Sequence, residues 1–226
     1  MHVAAAVLFH VAMSAAATAG VGRRIVLGSG SATRRAILAE VVGADGFEVI
    51  KPDIDEKAIR HADPAELVLA LGKAKAAALL EGERGVRVRA PPAALVLTAD
   101  QVVVCDGKIL EKPRNEAEAR AFIAGYARSP AETVGSCVLT DAATGEQWAK
   151  VDRARVHFSP VPEASVDAMI AEGGLFHCAG GLMVEHPLVS PCVTRMEGTM
   201  DAVQGLKKAT LEAMLATALG RPLGAA

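Results

Sequence analysis

The 226-residue chain predicts an α/β protein built on a mixed, twisted sheet with flanking helices, and three features carry that expectation. The apolar run Ile25, Val26, Leu27 leads through Gly28-Ser29-Gly30-Ser31 into apolar positions at helical spacing, Ile37, Leu38 and Val41. That pattern is strand, tight loop, helix. A further helix start stands at Asp63-Pro64 with Glu66, and two alternating runs, 132–139 and 148–158, flank Thr144-Gly145 as an antiparallel pair. With 51% hydrophobic and 22% charged residues, the chain can bury a sizeable core as one α/β domain or two closely packed lobes.

Residues 1–22 are set apart from the fold, and 23–226 are read as a single domain. The first twenty are apolar and Ala-rich, but Arg23 and Arg24 follow that stretch instead of preceding it, as a secretory signal would require. The run is also too short for a membrane span. An organellar leader and a disordered extension both fit, so the cytoplasm is expected unless 1–22 is a leader.

In the first strand–loop–helix unit, small residues let the backbone approach a ligand, and the first helical N–H groups lack internal partners. Arg34 and Arg35 place positive charge in the first turn against the helix dipole, which a bound anion would offset. A plain βα turn with two solvated arginines fits equally well. The P-loop spacing is absent, and Thr33 stands where a dinucleotide fingerprint needs its third Gly.

A second strand at 47–50 leads into Asp53, Asp55 and Glu56, three carboxylates that are either solvated or share a hard cation. The helix from Asp63 runs to about Ala78 and carries Lys73, read as lying in its apolar stripe, where a lysine either snorkels or functions. Residues 81–92, charged and ending in two prolines, predict a loop. Leu95–Leu97 reads as a buried strand ending at Thr98-Ala99-Asp100-Gln101, followed by a hairpin of 102–104 and Ile109-Leu110 around Asp106-Gly107. Asp100 interrupts two apolar runs, and a carboxylate there needs partners or has a task. Lys112 returns to the same sheet end. Asn115 with Glu118 caps another helix, a short helix at 162–172 stops at Gly173-Gly174, and a last one covers about 206–219.

Four widely spaced cysteines and six histidines form no C-x-x-C or H-E-x-x-H pattern, so no zinc site or disulfide framework is expected. A net charge of −2 gives no support for a nucleic-acid polymer or a membrane surface as partner, while a small anion fits.

Separated motifs along the chain resemble those of the Maf (septum-formation) nucleotide pyrophosphatases. Ser29, Ser31, Arg34 and Arg35 match Ser-x-Ser-Pro-x-Arg-Arg with Ala32 for Pro, and Asp55-Glu56 match an Asp-Glu pair. Leu69, Ala70, Lys73 and Ala74 match Leu-Ala-x-x-Lys-Ala, while 98–103 and 107–113 match Ala-Asp-Thr/Gln-Val-Val and Gly-x-Ile-Leu-x-Lys-Pro. Ala179, Gly180 and Glu185 match Ala-Gly-x-x-x-x-Gln/Glu. The likeness departs at Ala32, Thr33, the 81–92 insertion and Lys207-Lys208.

The resemblance implies a Maf or inosine-triphosphatase kind of fold, two lobes around a nucleotide cleft, and cleavage of the α–β link of a nucleoside triphosphate to monophosphate and pyrophosphate. It implies Asp100 as general base, Ser29, Arg34, Arg35, Lys73 and Lys112 on the phosphates, and Glu56 with Asp100 holding a divalent cation such as Mg²⁺ or Mn²⁺. Base and ligand roles compete for one carboxylate. A homodimer is implied by resemblance alone. Thr33, Gln101 and Glu185 occupy the positions that track base preference, and two of the three follow the 7-methyl-GTP branch, which suggests house-cleaning of modified nucleotides. The alternatives are a dTTP/UTP pyrophosphatase and a non-catalytic nucleotide-binding regulator of cell division.

Overall fold

The computed structural model describes residues 23–220; the extension read at 1–22 lies outside them. A seven-stranded mixed sheet forms its spine. Strands β1 (Ile25–Gly28), β2 (Glu48–Val49), β3 (Leu95–Cys105), β4 (Lys108–Leu110), β5 (Ala131–Asp141), β6 (Gln147–Phe158) and β7 (Val193–Glu197) lie in the order β2-β1-β3-β5-β6-β7, with β4 also on β3. β1 runs parallel to β2 and β3, and every other pair is antiparallel.

The parallel pairs need crossover helices. Helix α1 (Ala32–Val42) returns the chain from β1 to β2, while α2 (Pro64–Leu79) and α3 (Gly82–Arg89) return it to β3. The first starts where Ser31 Oγ accepts the Arg34 N–H, and the second where Asp63 caps Ala65 and Glu66 beside Pro64. Helices α4 (Glu116–Tyr126) and α5 (Glu163–Glu172) cover the far half of the sheet, and α6 (Met200–Val203) and α7 (Lys208–Ala218) close the chain.

Strand alternation sorts the core onto two faces. Leu27, Leu95, Leu97 and Leu139 pack against Ile37 and Leu38 of α1 and Leu211 and Met214 of α7. Val26 and Val96, their neighbours in sequence, point the other way onto Leu79 and Val88. Further along, Val103, Ala154 and Val156 meet α4 and α5, while Val102 and Val134 meet Leu67, Val68 and Leu71 of α2. Each fully buried leucine contributes roughly 1.5–3 kcal/mol.

The sheet corrects the sequence reading in two places. Residues 95–97 and 102–104 are not separate strands but one eleven-residue strand. Its polar middle continues because β5 pairs with it from Leu95 to Val104, and because Thr98 Oγ1 donates to Gly72 O at 2.8 Å. The 81–92 loop contains α3, whose buried residues are Gly85 and Val88. Two valines only two residues apart, Val86 and Val88, among four charged side chains give no readable apolar stripe.

Candidate active site

The site sits where one edge of β3 is left open. Along one edge β3 pairs with β5 throughout; along the other it pairs with β1 at 95–98 and with β4 at 103–105. Among the described residues no strand pairs with 99–102 on that side. The carbonyl of Ala99 is satisfied instead by Arg34 Nη1, at 3.1 Å. Asp100 and Gln101 project from this opening to opposite faces, as strand alternation requires.

Asp100 faces α2. There Gly72 lets the helix settle onto β5: a Cβ at Gly72 would stand 2.9 Å from both Ser136 Oγ and Val138 Cγ2. Ser136 Oγ donates to Val68 O at 2.7 Å and accepts the Asp100 N–H at 3.1 Å, so helix, strand and carboxylate share one anchor. Three residues beyond Gly72, Lys75 is 6% exposed and its Nζ lies 2.9 Å from Asp100 Oδ1 and 2.8 Å from Glu56 Oε1. Partial burial alone would raise the Glu56 carboxyl, but the Lys75 hydrogen bond and charge, with Lys112 and Arg34, hold it below the ordinary range.

Lys75 corrects the expectation placed on Lys73. Lys73 is exposed and outside the cleft, because two residues turn a helix by about 200°. The buried face of α2 is Leu67, Val68, Leu71, Gly72, Lys75, Ala76 and Leu79. Leu67, Leu71 and Lys75 follow at steps of four, but the surrounding alanines blur that face in the sequence.

The phosphate turn is held by its own side chains. Ser29, buried, accepts the Ser31 N–H at 3.2 Å, and Ser31 Oγ accepts the Arg34 N–H at 3.3 Å. Arg34 lines the cleft and donates through Nε to Gly205 O at 3.0 Å. Burial pulls its guanidinium below the ordinary arginine value, countered in part by Asp100 and Glu56. Arg35, the next residue round the helix, is exposed and is not among the residues that line the cleft.

Lys112 lines the opposite wall and is exposed. Thr33, Gln101 and Glu185 all line the cleft too. Gln101 Nε2 donates to Val203 O at 2.7 Å and Ala202 O at 3.3 Å, tying α6 to β3. Glu185 is exposed on a segment that Gly180 anchors: its N–H donates to Glu111 O at 2.9 Å and its carbonyl accepts from Tyr126 Oη at 2.6 Å.

The cleft these residues enclose has a volume of about 1400 Å³. Eight lysines and arginines line it against five carboxylates, a cationic excess in a chain of net charge −2. Its field draws in anions. An α/β sheet opened along one strand edge, with a cationic cleft and a carboxylate at its centre, makes this an α/β protein with a site suited to an anion.

The chain belongs to the Maf family, whose model, described as Maf-like protein, matches residues 24–218. It is 36% identical to the 7-methyl-GTP pyrophosphatase of Dictyostelium discoideum, over 82% of this chain and 92% of that one. It is 33% identical to a nucleoside triphosphate pyrophosphatase of Corynebacterium aurimucosum, over 85% and 92% of the two chains. The dTTP/UTP pyrophosphatase of Vibrio cholerae is 32% identical, over 81% and 91%.

Proposed function

We propose that this chain cleaves nucleoside triphosphates between the α and β phosphates, with 7-methyl-GTP its preferred substrate. The activity class is that of a nucleoside triphosphate pyrophosphatase, a hydrolase of phosphoric anhydrides: water and a triphosphate give a monophosphate and pyrophosphate. The observation that carries the reading is the Asp100 carboxylate, held at the open edge of β3 by Lys75 inside a cationic cleft. Asp100 accepts the proton of the attacking water, and Lys75 keeps that carboxylate oriented. Arg34, Lys112 and the N–H groups of the first turn of α1 neutralise charge along the phosphate tail.

The family resemblance implies a divalent cation. Among the described residues no cluster of three or more His, Cys, Asp or Glu that could hold a metal is present, and Glu56 and Asp100 meet on Lys75 Nζ; an ion would therefore need substrate phosphates to complete its oxygen set. These two residues would hold the ion, which would supply neutralising charge to the leaving pyrophosphate.

Base preference rests on Glu185. Guanine offers N1–H and N2–H₂ as adjacent donors that one carboxylate accepts together, and N7 methylation makes the ring cationic. Uracil and thymine would turn carbonyl oxygens toward it. The test is kcat/KM for 7-methyl-GTP, dTTP and UTP, followed by pyrophosphate release, on wild type and Glu185→Gln. We expect 7-methyl-GTP to be preferred and the variant to narrow or reverse that preference by about 1–3 kcal/mol. A wild type that prefers dTTP establishes the pyrimidine reading instead.

A further inference from the structure

Among the cleft cations outside the sequence motifs is Lys51, two residues beyond β2. The Ile50 N–H donates to Leu27 O at 3.0 Å, which brings the chain off the sheet edge beside the turn that follows β1. The Lys51 side chain then lies over Gly30. A Cβ built on Gly30 would stand 2.6 Å from Lys51 Cε, 3.7 Å from Cδ and 3.5 Å from Nζ. Gly30 is not among the positive-φ glycines, so its backbone does not call for glycine. A side chain there would displace the flexible end of Lys51 from its place over the turn.

Lys51 lines the cleft together with Ser29, Gly30 and Ser31. Four of the cleft's cations are engaged, Arg34 on Gly205 and Ala99, Lys75 on Glu56 and Asp100, Arg60 on Glu111 and Arg114 on Glu118, whereas Lys57, Lys108 and Lys112, like Lys51, make no ion pair among the described residues; of these it is Lys51 that lies over the turn before α1. Lys51 makes no ion pair among the described residues, so all three of its donors are open to a ligand beside the N-terminus of α1. A lysine stem laid over a glycine, with its head uncommitted in front of a helix start, is arranged for an anion.

We propose that Lys51 is a phosphate-tail ligand of the substrate and that Gly30 is its seat. The inference rests on the pyrophosphatase reading, with Lys51 adding affinity for the triphosphate tail while Asp100 acts on the water. Lys51 is exposed, so its substitution leaves the fold intact. The experiment is a double-mutant cycle of Lys51→Ala and Gly30→Ala, with kcat and KM measured on the best triphosphate, and inorganic pyrophosphate binding measured by calorimetry on all four proteins. The expected result is about a tenfold rise in KM with kcat within about threefold, and pyrophosphate binding weakened to match, for Lys51→Ala. Gly30→Ala should weaken both in the wild-type background and add little in the Lys51→Ala background. Unchanged KM and pyrophosphate affinity in Lys51→Ala, or a Gly30→Ala effect of equal size in both backgrounds, overturns the proposal. A wild type that releases no pyrophosphate from any triphosphate overturns the enzymatic reading instead, and the two failures are read separately.

Discussion

Lys75 Nζ stands 2.9 Å from Asp100 Oδ1, one ammonium from α2 closing on one carboxylate in the middle of β3. The pair exists because Gly72 lets the helix approach Ser136 and Val138 closely enough to carry Lys75 over the open strand edge. Geometry of this kind makes the roles of the two residues separable by substitution.

Asp100→Asn keeps the shape of the side chain and removes its ability to take a proton. Turnover should fall by about 10²-fold or more with KM little changed. Steady-state kinetics on the best triphosphate decide the matter, and near wild-type kcat would move the base elsewhere.

The two lysines of α2 should part company. Lys75→Ala removes the cation shared by Glu56 and Asp100 and should reduce kcat/KM by about 2–4 kcal/mol of transition-state stabilisation. Lys73→Ala alters an exposed position and should leave kcat/KM within about twofold. Equal effects of the two substitutions would contradict the placement of Lys75.

Gly205 closes the strut from Arg34 with φ +94°, and a Cβ there would stand 2.8 Å from Gln101 Oε1 and 3.1 Å from Arg34 Nη2. Gly205→Ala therefore combines a strained backbone with a displaced arginine, and should destabilise the fold by roughly 1–3 kcal/mol. Denaturant unfolding measures this, and a wild-type midpoint would show that the turn relaxes without strain.

Glu56 links stability to pH. Its folded-state pKa is lowered, so its contribution is fully present above the unfolded value of about 4.3 and is lost as pH falls through the lower folded value. Glu56→Gln should lower Tm at pH 7 and converge on wild type below about pH 3. A Tm difference that stays constant from pH 3 to 8 would remove Glu56 from the acid response.

Much of this site is legible in the sequence. Asp100 stands out as a carboxylate between apolar runs, Asp63-Pro64 and Asn115 mark their helix starts, and the turn at 28–31 reads as a ligand loop. The phase of α2 is not legible, because alanines at 70, 74, 76, 77 and 78 give almost no contrast between its faces. Lys75 was hidden by that flatness, and with it the pairing that orients Asp100. The continuity of β3 was hidden for a different reason. Thr98, Asp100 and Gln101 look like the end of a strand, yet hydroxyl and amide bonds to α2 and α6 keep the strand polar and unbroken.

Because β3 runs unbroken from Leu95 to Cys105, both walls of the cleft are bolted to the same beam. An unbroken register of pairs from Leu95–Asp141 to Val104–Glu132 runs the length of that beam. The separation of Asp100 from the turn at 28–31 is thereby set by backbone pairing, β1 on β3 and β3 on β5, and not by the packing of one lobe on another.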